Sequence, residues 1–85
     1  MFSHVSNMNK LEKLKACKEL FEAEADSPPC YINTRSQEMH LSYDELYDSH
    51  LHFILSNAMC YNLNVKLEAV ASFNRDRPDI LVIIY

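Results

Sequence analysis

The sequence predicts a small two-layer α+β domain in the order α-β-β-α-β-β. Two helices pack on one face of an antiparallel sheet of three or four strands. Three observations carry this expectation. The chain closes on Asp79-Ile80-Leu81-Val82-Ile83-Ile84-Tyr85, a β-branched and aromatic run with no polar break. It is too short for a helix and is entered from Pro78, so it reads as a strand apolar on both faces. Two earlier stretches repeat apolar residues at helical spacing. From Val65 to Phe73 the pattern alternates instead, as a strand with one buried face requires.

Taken in order, residues 1–7 read as a loose tail to a single domain spanning residues 1–85. From Met8 to about Ala25, Leu11, Leu14, Cys17, Leu20 and Phe21 recur on one helical face. Asn9 followed by Glu12 forms a candidate capping box, and Pro28-Pro29 forbids continuation. Lysines fill the first half of this helix and acids its end, the reverse of what the macrodipole favours. Pairs such as Lys18–Glu22 offset that order, and two such helices packed antiparallel would also match it.

Cys30 to Arg35 reads as a short strand, turning at Ser36-Gln37-Glu38 into Met39-His40-Leu41. Ser42 with Glu45 looks like a second capping box, opening a helix from about Tyr43 to Tyr61. Leu51 to Leu55 also fits a strand, but the cap and the length favour the helix. Asn62 closes it in the left-handed conformation that glycine would otherwise supply. Val65, Leu67, Ala69, Ala71 and Phe73 then share one strand face. A polar connection from Asn74 to Asp79 returns the chain as a hairpin into the terminal strand.

Composition narrows the function. With 85 residues, net charge −4 and no glycine, the chain holds no P-loop and no dinucleotide fingerprint, both of which need glycine beside phosphate. The acidic balance disfavours general nucleic-acid binding. No segment approaches the ~18 apolar residues of a membrane span. Cys17, Cys30 and Cys60, odd in number and widely spaced, suit a reducing cytoplasm rather than a disulfide framework. No catalytic or cofactor signature is visible, and no cofactor is expected.

The terminal strand points Ile80, Val82 and Ile84 one way and Leu81, Ile83 and Tyr85 the other. A two-layer domain covers one face, so the second face calls for a further segment, a second copy or a partner. The leading expectation is a non-enzymatic interaction protein, an adaptor or inhibitor acting as a homodimer. Tyr43, Tyr47, Ile80, Val82, Ile84 and Tyr85, with Glu22 and Asp26, are its candidate contact residues. A second expectation is a metal-dependent protein or enzyme using His40, His50, His52 and a cysteine. A third is nucleic-acid binding through a local patch of Lys10, Lys13, Arg75 and Arg77.

Overall fold

The computed structural model describes residues 7–72 and 76–85. The expected tail, Asn7 apart, lies outside the described residues, as do Phe73 and Arg75. Six elements follow in the expected order: α1 (Lys10–Glu22), β1 (Cys30–Asn33), β2 (Glu38–Tyr43), α2 (Asp48–Cys60), β3 (Val65–Val70) and β4 (Asp79–Ile84). The strands form one antiparallel sheet ordered β1-β2-β4-β3. The most apolar strand is therefore an interior one, paired on both sides.

Helix α1 starts where local chemistry dictates. Asn9 Oδ1 accepts from the Glu12 N–H at 2.8 Å, and the Asn9 N–H donates to Glu12 Oε1 at 2.9 Å. This reciprocal box satisfies two amides that the first turn would otherwise orphan. Leu14, Cys17 and Phe21 sit one turn apart and are fully buried. Lys18 Nζ reaches Glu22 at 3.0 Å. The β1–β2 turn does without glycine. Asn33 Oδ1 accepts from the Arg35 and Ser36 N–H groups at 3.0 and 3.1 Å, and Gln37 takes φ 57°. Helix α2 ends on Asn62 at φ 55°, with the Leu63 N–H bonded to Ala58 O at 2.8 Å.

The start of α2 departs from the sequence expectation. Ser42 does not cap a helix but sits in the β2–β4 ladder opposite Leu81, and Tyr43 lies opposite Ile80. A cap contributes about 1 kcal/mol. Extending β2 gains two cross-strand pairs and buries the Tyr43 side chain, which outweighs it. The helix begins instead after Tyr47, whose N–H donates to His50 Nδ1 at 3.2 Å.

The core lies between the helices and one sheet face. Met39, Leu41 and Tyr43 of β2 meet Val82 and Ile84 of β4, under Leu14, Cys17 and Phe21 of α1 and Ile54 and Ala58 of α2. The Phe21 and Phe53 rings meet edge to face at 5.0 Å. Helix cover stops short of β3. Val65 packs on the core, but Leu67, Ala69 and Ala71 are exposed, so the expected half-buried face is largely open on this edge strand.

Candidate functional site

The strand pairing and the course of α1 give the molecule two chemically different ends. At one end lie the C-terminus of α1, the end of β2, the start of α2 and the start of β4. Eight of the chain's twelve carboxylates belong to these segments: Glu22, Glu24, Asp26, Asp44, Glu45, Asp48, Asp76 and Asp79. At the other end Lys10 and Lys66 hold their ammonium groups 5.7 and 5.5 Å from the centre of the Tyr85 ring. Arg35, in the β1–β2 turn, belongs to that end as well.

The acidic end is concave and aromatic. Tyr43, at the end of β2, and Tyr47, before α2, flank the His50 ring at centroid distances of 5.2 and 5.3 Å. His50 is fixed by accepting the Tyr47 amide at Nδ1. Tyr47 Oη donates to Glu45, and the Arg77 guanidinium bonds the same carboxylate. That carboxylate raises the Tyr47 phenol above its ordinary value. Burial does the same to Tyr43, partly offset by the nearby Ser27 hydroxyl.

Two depressions open on either side of this aromatic group. One, of about 200 Å³, is lined by Glu24, Asp26, Ser27, Tyr43, Ser49, His50 and Phe53. Ser27 Oγ is hidden from solvent and lies beside the Tyr43 phenol. The other is an open groove along Glu45, Tyr47, Arg77, Pro78 and Ile80.

The residues singled out in the sequence divide among these places. Asp26 and Tyr43 meet in the first depression, and Tyr47 and Ile80 in the second. Glu22 sits nearby, paired with Lys18. Val82 and Ile84 correct the expectation, because both are 0% exposed on the core side of β4. The outward side of β4 is sheltered too. Ile83 is only 4% exposed in the single chain, flanked in register by His40 and Lys66. Tyr85 is half-buried at the lysine end, remote from Tyr43 and Tyr47. Glu24, Ser27, Ser49, His50 and Phe53 were missed as a group. They come from separate segments, and no sequence signal joins them.

The histidines are dispersed. His40 lies on the outward sheet face, its Nε2 3.0 Å from Glu38, which holds that carboxyl below its usual range. His50 stands in the aromatic group, and His52 is exposed on α2. Among the described residues no three His, Cys, Asp or Glu side chains are grouped to hold a metal ion. Cys17 is buried, and burial pushes its thiol up to about 12. Burial also raises Cys30, with Glu22 adding to the effect and Lys18 opposing it. A thiol raised in this way is a poor nucleophile near neutral pH.

No protein-family model matches the chain, and comparison with curated proteins and with solved structures returns no significant match. Among the described residues no helix is long and apolar enough to cross a membrane.

Proposed function

We propose that this chain is a non-enzymatic interaction protein, an adaptor or inhibitor, that engages a basic protein surface through its acidic, tyrosine-bearing end. The observation that carries the reading is the concentration of carboxylates around the Tyr43–His50–Tyr47 group and its two depressions. Tyrosine supplies large contact area at low entropic cost, and clustered carboxylates steer a basic partner and select its orientation. The partner is occluded or bridged, not transformed.

Amide-resolved titration with a lysine-rich peptide tests this. Shifts are expected at residues 24–27 and 44–50, weakening steeply as salt rises. Shifts confined to the Lys10–Lys66–Tyr85 end, or no binding at low salt, would overturn the proposal.

Self-association is a second reading, favoured by the separation of Lys10 and Lys66 from the carboxylate-rich end. An antiparallel pair of chains brings the acidic end of each copy to the lysine end of the other. Light scattering across a dilution series is expected to show a dimer that dissociates with salt. A monomer at every concentration and ionic strength removes this second reading and leaves the first intact.

A further inference from the structure

Strand β3 ends the sheet order β1-β2-β4-β3, and among the described residues no strand pairs with its outer edge. We infer that this edge pairs with β3 of a second copy, antiparallel and centred on Leu67, joining two four-stranded sheets into one. The inference rests on the self-association reading above and names its contact surface.

The backbone sets which residues are available. Asn64 and Tyr85 exchange both of their backbone hydrogen bonds, at 2.7 and 2.9 Å. The register then runs without a break from Val65 opposite Ile84 to Val70 opposite Asp79. In an antiparallel ladder, pairs that exchange bonds alternate with pairs that do not. Lys66, Glu68 and Val70 therefore turn their N–H and C=O groups toward β4. Val65, Leu67 and Ala69 turn theirs to the open edge.

The side chains select the register. Two such edges bond only when outward-turned residues oppose one another, which places a two-fold axis at Lys66, Leu67 or Glu68; an axis further along pairs fewer residues. At Lys66 the axis sets ammonium against ammonium, and at Glu68 carboxylate against carboxylate. Like charges directly opposite are destabilising. At Leu67 it sets Lys66 opposite Glu68 of the second copy, Val65 opposite Ala69, and Leu67 opposite its equivalent. Val65-Lys66-Leu67-Glu68-Ala69 is thus self-complementary about its middle, as an isologous contact requires.

The surroundings of the strand favour the same occupant. Leu67 is 49% exposed although it lies opposite Val82, on the helix side of the sheet, and Ala69 is open as well. Lys66 and Glu68 stand half-exposed on the outward side, 4.0 Å apart. Lysine on an edge strand ordinarily discourages pairing, but the glutamate two residues on gives each lysine a carboxylate on the second copy. The opposite edge is protected, since β1 is four residues long and follows Pro28-Pro29. Antiparallel pairing also sets the Ile84 end of each β3–β4 hairpin beside the Asp79 end of the other, which brings lysine end to acidic end.

The test uses the full chain and charge reversal. Light scattering across a dilution series is expected to give the parent twice its 9.9 kDa mass. Lys66→Glu and Glu68→Lys each set like charges across the axis and are expected to weaken dimerisation about tenfold or more. Combining the two restores unlike pairs and is expected to recover it. Both positions are exposed, so circular dichroism should be unchanged in all three variants. Amide hydrogen exchange reads the backbone. As concentration rises, the Val65, Leu67 and Ala69 amides should become protected, whereas those of Lys66 and Glu68 are protected at every concentration.

A dimer indifferent to both single reversals, a combined variant that stays monomeric, or unchanged exchange at positions 65, 67 and 69 in a dimer overturns the inference. Each of these leaves self-association through another surface standing. A parent that is monomeric throughout removes both.

Discussion

Two neighbouring isoleucines of β4 provide a sharp test of how the sheet is oriented. Ile84 faces the core between Met39 and Val65 and is fully buried. Ile83 faces outward between His40 and Lys66. Ile84→Glu forfeits about 2–3 kcal/mol of apolar burial. It also forces a carboxylate into the core, where ionisation or its suppression costs several kcal/mol more. A domain of this length has about 4–13 kcal/mol of stability in total, so the variant is expected to be largely unfolded. Ile83→Glu loses a similar apolar area, but its carboxylate lies on the outward face, away from the helix-covered core and opposite Lys66. An opposite-charge cross-strand pair returns about 0.2–1 kcal/mol, leaving a net loss of about 1–3 kcal/mol in a protein that still folds. Urea denaturation followed by circular dichroism reads both. Equal losses, or a larger loss at position 83, would refute the assigned face, since a one-residue register slip exchanges the two.

Alkaline stability provides a second test. A free thiol titrates at 9.0, whereas Cys17 is held at about 12 in the folded chain. Between those values the unfolded state binds fewer protons, so stability is full below pH 9 and falls as pH rises toward 12, by at most about 1.4 kcal/mol per pH unit. Urea midpoints at pH 8, 9.5 and 10.5 should fall more steeply for the parent than for Cys17→Ala, and parallel slopes contradict the assignment. In native protein an alkylating reagent should modify exposed Cys60 at once and Cys17 only after unfolding; rapid loss of all three thiols speaks against a buried Cys17. Asn9→Ala removes the Oδ1 acceptor of the α1 capping box and is expected to cost about 1 kcal/mol, measured by the same denaturation. No loss would mean that this helix end is frayed.

What the sequence made legible was local or strongly periodic. The Asn9–Glu12 box, the stop before Pro28-Pro29 and the left-handed Asn62 each depend on a few adjacent residues, and each appears as expected. The fold class followed from helical spacing, alternation and the apolar C-terminal run. The false cap at Ser42 shows the opposite case. Ser42-Tyr-Asp-Glu45 carries the right local signal, yet pairing with a strand almost forty residues away captured it. Parity showed that β4 has two apolar faces but not which one the helices cover. Val82 and Ile84 were therefore assigned to an interface when they belong to the core. The depression beside Tyr43 was invisible for a related reason. It is assembled from the chain after α1, the end of β2 and the first turns of α2, and only the tertiary fold makes them neighbours.

The most direct measurement of the central claim is affinity capture from a cell lysate with three forms of the protein. One is the parent chain. The second neutralises the acidic end through Glu24→Gln, Asp26→Asn and Asp48→Asn, and the third neutralises the opposite end through Lys10→Gln and Lys66→Gln. The parent and the lysine-end variant are expected to retain the same basic proteins, released by salt, and the acidic-end variant to lose them. Equal retention by all three forms, or loss confined to the lysine-end variant, would contradict it.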